Sequence, residues 1–240
     1  IFSDLNEVET LVQSKKILIF DFDGVLVDSL DLKTEAFALL YQQYGDEVVA
    51  KVVKHHINNG GMSRYQKFKY YHKIFLNKNI DEKKVNSLSQ KFSSIVLEKV
   101  ISAKEINGAS DFLKLFCTKD KLCIVNSATP LNEIKEIVKA RGLSTFFQAV
   151  YGSPNSKEEN LLQIQNTFNI DLKTAVFIGD ALSDFNAAKV MKMDFIGIGK
   201  KIADDLRNEN GNWCKDARCN QKHYICNCIE CRKVCNRPNR

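Results

Sequence analysis

The chain has little proline and glycine for its length: 240 residues contain three prolines and eleven glycines. This excludes collagen-like and linker-dominated proteins. No apolar run approaches the roughly 20 residues that a membrane-spanning helix needs. The first ten residues are acidic rather than basic, unlike a secretory signal peptide. With 44% hydrophobic residues available for a core, we expect a globular cytoplasmic protein without a membrane partner.

Positive charge and cysteine are concentrated at the end of the sequence. The net charge is +6, and residues 213–240 carry seven basic and two acidic side chains. Residues 1–212 are therefore close to neutral, and no nucleic-acid partner is expected for this body of the protein. The same terminal segment holds six of the eight cysteines: Cys214, Cys219, Cys226, Cys228, Cys231 and Cys235.

This basic, cysteine-rich tail is open to three interpretations. Its thiolates, with His223, could hold zinc, although the spacing lacks paired Cys-x-x-Cys knuckles. Disulfides are disfavoured in the cytoplasm. The abrupt change of composition at Trp213 also fits a disordered end of non-native character. The two other cysteines, Cys117 and Cys123, lie in apolar surroundings and are expected to be buried thiols.

The part of the chain after Gly108 alternates between short apolar strands and amphipathic helices. Together with the apolar run at 16–22, this pattern predicts an α/β fold: a Rossmann-like, doubly wound parallel sheet with helices on both faces. The predicted strands are 121–126, 148–151, 174–178 and 194–198, and the predicted helices are 109–117, 131–141, 157–168 and 182–191.

The intervening residues, 28–104, have apolar positions at helical spacing and predict about four helices. They form an insertion after the first strand, so we expect an all-helical inserted domain, termed the cap below, at 28–104 and an α/β core at 1–27 and 105–212. In the cap, a stripe of aromatic side chains is expected to be buried and two histidines to be solvated: Phe68, Tyr71 and Phe75, and His55 and His56, respectively.

Carboxylates and groups that bind phosphate follow the predicted strands. Because the carboxyl ends of parallel strands meet at one edge of a sheet, we expect these side chains to share a cleft. In chain order they are Asp21, Asp23, Ser127, Ala128, Lys157, Asp180 and Asp184.

This set of side chains indicates a metal and a phosphate. Clustered carboxylates oppose one another's ionisation, and Mg²⁺, which binds carboxylate, water and phosphate oxygens, removes that opposition. Lys157, the Ser127 hydroxyl and the backbone N–H groups near Ala128 would bind a phosphoryl group. Asp21 could then attack phosphorus, while Asp23 protonates the leaving oxygen and later activates water.

The same segments resemble the four motifs of the haloacid dehalogenase superfamily of phosphotransferases. They are Asp-x-Asp-Gly-Val-Leu from Asp21, an apolar strand ending in Ser127, Lys157 at a helix start, and Gly-Asp-x-x-x-Asp from Gly179. The resemblance covers residues 16–199 and includes a helical insertion where that family has its first-type cap. It implies a phosphotransferase with a metal-dependent site at the sheet edge.

The resemblance also implies roles for individual residues. Asp21 would be the nucleophile, and Asp23 the acid and base as well as a Mg²⁺ ligand through its backbone carbonyl. Ser127 and Lys157 would bind phosphate. The metal ligands would be Asp21, Asp23, Asp180 and Asp184, the last of them directly or by positioning.

Two further features narrow the expected chemistry. The acid at Asp23 disfavours dehalogenating members and members that cleave carbon–phosphorus bonds, so phosphate esters are favoured. The segment 59–64 resembles the specificity loop of the phosphoglycolate phosphatase and β-phosphoglucomutase branch. There Arg64 would bind a second anionic group of the substrate, and Gly61 beside it would let the loop move.

We therefore expect a Mg²⁺-dependent phosphatase that hydrolyses a small phosphorylated metabolite, either a sugar phosphate or a phosphoglycolate-like acid. A phosphosugar mutase of the same superfamily is the alternative. From another class, a metal- or nucleic-acid-binding protein acting through the tail is also open. The sequence does not specify the oligomeric state.

Overall fold

The computed structural model describes residues 5–210 and 225–227. Helices and strands alternate along most of this chain. The strands are β1 (Ile17–Phe20), β2 (Leu122–Pro130), β3 (Ala149–Ser153), β4 (Ala175–Gly179), β5 (Asp194–Ile198) and β6 (Ile225–Asn227). The helices are α1 (Leu5–Ser14), α2 (Leu30–Tyr41), α3 (Asp46–Asn58), α4 (Arg64–Tyr70), α5 (Glu82–Ser102), α6 (Ala109–Phe116), α7 (Leu131–Ala140), α8 (Lys157–Phe168), α9 (Leu182–Val190) and α10 (Lys200–Asn210).

The described strands form one sheet in the order β3-β2-β1-β4-β5-β6. Strands β1 to β5 are parallel, and β6 is antiparallel to β5. Phe20, the last residue of β1, is paired with Val125 on one side and Ile178 on the other. The chain reverses its direction of winding at β1, and this is the place where open α/β sheets bind ligands. The predicted doubly wound core is confirmed.

Alternation along β1 explains why helices cover both faces of the sheet. Leu18 and Phe20 belong to one buried apolar cluster, and Ile17 and Ile19 belong to another. Successive side chains of a strand point to opposite faces, so a strand that is apolar throughout needs cover on each side. Helices α6 and α7 contribute to the first cluster, and α8 and α9 to the second.

The cap consists of α2 to α5, inserted between β1 and α6, and includes a turn of π-helix at Tyr71–Phe75. Its interior is largely aromatic, with the rings of Phe37 and Phe92 4.5 Å apart between centroids. Phe68 and Tyr71 are fully buried, as the aromatic stripe predicts. The predicted all-helical cap is confirmed.

The two connections between cap and core lie side by side. Val27 and Glu105 form an antiparallel bridge, and the Asp28 N–H donates to the Lys104 carbonyl over 2.9 Å. Arg141 of the core donates to three carbonyls at the end of α5: those of Val100, Ile101 and Ala103. The predicted domain boundaries, between 27 and 28 and between 104 and 105, fall where these two connections pair. They stay a prediction.

The predicted zinc site or disulfide at 213–240 lies outside the described residues. Of this tail, the structure describes only the short strand β6. The two other cysteines are within the described chain and both are free: Cys123 is buried and Cys117 is partly buried. None of the helices that the structure describes is long and apolar enough to cross a membrane.

Candidate active site

Three carboxylates come together at the carboxyl ends of the central strands. Asp21 follows β1, Asp180 follows β4, and Asp184 lies in the first turn of α9. One oxygen from each lies within 4.8 Å of the others. Above them, core and cap enclose a cleft of about 620 Å³. Asp21 lies 159 positions before Asp180 in the sequence, and the sheet order, with β1 next to β4, brings the two together.

Lys157 lies among these carboxylates because a capping box fixes the start of its helix. Ser156 accepts from the Glu159 N–H, and the Glu159 side chain accepts from the Ser156 N–H over 2.7 Å. The buried Lys157 ammonium donates to Asp21 over 2.6 Å and also to Asp184. Burial alone would lower the pKa of Lys157, but the charges of Asp184 and Asp21 hold it above its ordinary value.

Asp184 has a second set of partners on the backbone. Its Oδ2 accepts from the N–H groups of Asp180 and Ala181, both over 3.1 Å. It therefore fixes the loop that carries Asp180, which is the positioning role that the sequence left open beside direct metal ligation. Gly24 completes the arrangement: its φ of +76° favours glycine, and a Cβ there would overlap the Asp180 carboxylate.

The carboxylate cluster fits a divalent cation. Burial raises the pKa of Asp21 to about 7; Lys157 opposes this rise, and the charges of Asp184 and Asp23 add to it. Burial and the charge of Asp21 also raise the pKa of Asp180 well above its ordinary value. Among the described side chains, no cation pairs with Asp180. Oxygen ligands with excess negative charge are the donors that Mg²⁺ prefers.

Asp23 has different neighbours from the other carboxylates. It accepts from Ser29 and Lys33, each over 2.5 Å, and from Thr129 over 3.0 Å. Burial would raise the pKa of Asp23, but Lys33 and these hydrogen bonds lower it overall. The sequence prediction missed Lys33 and the contact of Thr129. Lys33 follows Ser29 by one helical turn, which is the available signal that both face Asp23.

Besides Lys157, the predicted phosphate-binding residues are Ser127 and Ala128, which lie in β2, the strand next to β1. Ser127 is buried near the end of β2, where its hydroxyl accepts from the Thr129 N–H over 3.2 Å, and Ala128 lines the cleft. Two asparagines that the sequence prediction missed tie β2 to the start of α8. Asn126 donates to the Lys157 carbonyl, and Asn160 donates to Asn126, both over 3.0 Å.

Comparison with known proteins agrees with this arrangement. The family model described as haloacid dehalogenase-like hydrolase matches residues 18–198, which is more than half of the chain and includes every carboxylate of the cluster. The chain belongs to the haloacid dehalogenase-like hydrolase family. The predicted family, and the enzyme that it implies, are confirmed.

Relatives of this hydrolase include two phosphoglycolate phosphatases. That of Psychrobacter arcticus is 27% identical and the match covers 82% of this chain and 89% of the relative. That of Colwellia psychrerythraea is 24% identical, over 85% and 94% of the two chains. The structure of β-phosphoglucomutase from Clostridium difficile matches with a TM-score of 0.67 and 20% identity, over 80% and 87%. This last likeness concerns the fold.

The hydrolase's cap reaches the core through the predicted specificity loop. A Cβ at Gly61 would overlap Ser183 of the core, so the backbone of the loop lies directly against it. Arg64 donates to both carboxylate oxygens of Glu133 in α7, over 2.8 and 2.5 Å, and to Ser93 over 2.9 Å. In this closed arrangement the guanidinium is engaged by the core, and its predicted role in binding substrate stays a prediction.

His56 differs from the sequence expectation. It was expected to be solvated, but it is only 7% exposed, and its ring centroid lies 4.7 Å from that of Phe37. The expectation was wrong because the last turn of α3 faces the cleft rather than solvent. His56 Nδ1 lies 2.8 Å from the Lys67 ammonium, and burial lowers the pKa of His56 to about 2. His55 is only partly exposed and stacks on Tyr70.

Proposed function

We propose that this hydrolase is a Mg²⁺-dependent phosphatase that cleaves a small phosphomonoester through an aspartyl-phosphate intermediate. The observation that carries the proposal is the convergence of Asp21, Asp23, Lys157 and Asp180 on one cleft at the switch point of the sheet. The names of the two curated relatives support phosphate-ester hydrolysis.

The residues suited to hold the ion are Asp21, Asp180 and Asp184, together with the backbone carbonyl of Asp23. When bound, Mg²⁺ would neutralise the carboxylates and the phosphoryl oxygens, so that an anionic nucleophile can approach phosphorus. Lys157 already neutralises part of this charge, because it bridges Asp21 and Asp184. The chain itself therefore supplies one fixed cation beside the nucleophile.

The reaction then uses Asp21 and Asp23 in turn. An oxygen of Asp21 attacks phosphorus and the bond from phosphorus to the ester oxygen breaks. Because Lys33 holds Asp23 ionised before substrate binds, Asp23 takes its proton from the bound phosphomonoester monoanion and gives it to the departing alkoxide. Asp23 next takes a proton from water, which attacks the aspartyl phosphate, frees inorganic phosphate and restores Asp21. Ser29, Lys33 and Thr129 hold Asp23 in place for both steps.

The substrate is proposed to be a small metabolite, such as a sugar phosphate or a phosphoglycolate-like acid. The cap lies over the cleft and leaves about 620 Å³, which is within the range for small-molecule sites. The relatives' names give phosphoglycolate as the first substrate to test. A cytoplasmic location is part of the proposal and rests on the sequence alone.

The proposal is tested with an aryl phosphate and MgCl₂, comparing Asp21→Asn with Asp31→Asn. Asp31 also lines the cleft but lies outside the carboxylate cluster, so its variant controls for loss of charge. We expect Asp21→Asn to abolish turnover while its circular dichroism stays that of the parent protein, and chelation of the metal to abolish parental turnover. Turnover near the parental rate in Asp21→Asn would remove the nucleophile assignment.

The mutase alternative shares Asp21 and Asp23 and differs in the acceptor of the phosphoryl group. With a bisphosphorylated sugar, a phosphatase releases one equivalent of inorganic phosphate without isomerising the sugar. A mutase returns the phosphoryl group to a phosphosugar. Measurement of free phosphate and of sugar isomers in the same reaction therefore separates the two.

A further inference from the structure

One cation in the cleft lacks the carboxylate partner that the others have. Of the lysines and arginines that line the cleft within the described chain, all except Lys67 form an ion pair. The pairs are Lys33 with Asp23, Arg64 with Glu133, Lys157 with Asp21 and Asp184, and Lys201 with Asp205.

Lys67 is nevertheless buried and held in place. The residue is 1% exposed, and its ammonium lies 2.8 Å from His56 Nδ1 and 5.5 Å from the centroid of the Phe37 ring. Because the His56 imidazole is neutral, it accepts one N–H of the ammonium. An ammonium has three N–H donors. Among the described residues, His56 is the one acceptor for the Lys67 ammonium. Two donors are left for a ligand in the cleft.

The surroundings of Lys67 favour an anion. A buried charge without a counter-ion is costly, and burial together with the nearby charges of Lys33 and Arg64 lowers the pKa of Lys67 to about 7, with Asp23 acting in the opposite direction. A carboxylate or phosphate oxygen beside the ammonium would provide the missing charge. Arg64 does not fill this role in the closed structure, because Glu133 occupies both arms of its guanidinium.

We propose that Lys67, oriented by His56, is a specificity-determining residue that binds a second anionic group of the substrate, a carboxylate or a phosphate. The ester phosphate of the same molecule would lie at Asp21 and Lys157. The substrate class is then a short phosphomonoester with an anionic group at its other end. This inference rests on the proposed phosphatase function and specifies which cap residue recognises the substrate.

The test compares two substrates that differ in the second anion, 2-phosphoglycolate and 2-hydroxyethyl phosphate. For Lys67→Met, which keeps the length of the side chain without its charge, we expect the ratio of the two kcat/KM values to fall about 10-fold to 100-fold, the worth of a hydrogen bond to a charged group. The loss should be mainly in KM. Lys69→Met is the matched control, since Lys69 is in the same helix, exposed, and paired with Glu82; its ratio should stay parental.

A second arm distinguishes the two anion sources. Here propane-1,3-diol bisphosphate is compared with the corresponding monophosphate. If the kcat/KM ratio of this pair also falls in Lys67→Met, Lys67 binds anions in general. If only the ratio for 2-phosphoglycolate falls, Lys67 binds a carboxylate. If Lys67→Met does not fold, Lys67→Gln is used, with thermal unfolding as the check.

Ratios unchanged in both arms, in a folded variant whose turnover still requires Asp21, would overturn the assignment of Lys67 and leave the phosphatase proposal intact. Formation of an imine between Lys67 and an aldehyde-bearing phosphonate, detected by trapping with borohydride, would also overturn it. Lys67 would then act as a nucleophile rather than as an anion-binding cation. Absence of any Asp21-dependent turnover would instead remove the proposed function.

Discussion

At the scale of single residues, each carboxylate has a different partner, which fits its proposed role. Asp21 pairs with Lys157, Asp23 pairs with Lys33, and Asp180 has no cationic partner among the described side chains. The proposed nucleophile, acid–base and metal ligand need different surroundings, which are provided by the cation beside Asp21, the cation beside Asp23 and the lack of one beside Asp180. Lys157 is the positive charge that the described chain itself supplies to the cluster of Asp21, Asp180 and Asp184.

Removal of that charge should destabilise the protein in the absence of metal. Lys157→Met leaves Asp21 and Asp184 buried without a counter-ion, and we expect a loss of about 3–5 kcal/mol in the free energy of unfolding. Urea denaturation measures this with and without MgCl₂, and the loss should be smaller with the ion. Lys173→Met, at an exposed position of the core, is the control. A loss below about 1 kcal/mol would contradict the charge balance described here.

The buried ammonium of Lys67 predicts a dependence of stability on pH. Its pKa is lowered from 10.5 to about 7, so between these values the unfolded chain binds more protons than the folded one, and stability rises with pH. Compared with Lys67→Met, the parent protein should gain up to about 1.4 kcal/mol per pH unit in this window. Urea denaturation at pH 7 and pH 9 measures the difference. A difference that does not change with pH, as expected for Lys69→Met, would refute the burial argument.

At the scale of elements, the loop before α4 determines how closely the cap approaches the core. Neither Gly60 nor Gly61 has a positive φ, so the need for glycine there is one of space. A Cβ at Gly61 would overlap Ser183, whereas a Cβ at Gly60 would lie 3.6 Å from Ala181, an ordinary contact. The two neighbouring glycines thus form a matched pair for testing cap closure.

Gly61→Ala should hold the cap away from the core and lower kcat/KM about 10-fold to 100-fold, the effect of misplacing groups that position the substrate. Gly60→Ala should keep parental kinetics. Both are measured with the same small phosphomonoester, and thermal unfolding checks that each variant is folded. Equal kinetics for the two variants would show that close contact at Gly61 is not needed for turnover.

At the scale of the whole molecule, the sequence was sufficient to predict the fold of the core. It was not sufficient to predict the side-chain pairs that line the cleft. The strands near 121 and 174 were predictable because apolar runs bounded by turns repeat with a regular period. Parallel strands then put Asp21 and Asp180 at the same edge of the sheet. That the two are neighbours follows from the strand order, with β1 next to β4, which the sequence did not predict. The pairs between Arg64 and Glu133 and between Lys67 and His56 depend on how cap and core helices pack, which no local pattern encodes.

The tail is also a question at this scale, because only β6 of it is described. Asp21 and Asp180 follow β1 and β4, whereas β6 pairs with β5 and forms the edge of the sheet. A chain ending at residue 212 should therefore retain turnover within about twofold of the parent. Steady-state kinetics with an aryl phosphate measures this. Loss of the main activity would favour the alternative in which the tail carries the function.

The central claim, that a carboxylate of the chain accepts the phosphoryl group, is tested most directly by trapping it. In Asp23→Asn, which lacks the base that activates water, an aryl phosphate with a good leaving group should still phosphorylate the enzyme. Rapid acid quenching, proteolysis and mass spectrometry would locate the group. The account predicts one phosphoryl group on Asp21, dependent on Mg²⁺ and absent from Asp21→Asn. Continued release of phosphate by the parent enzyme, with no phosphoryl group detected on Asp21 in either protein, would contradict it.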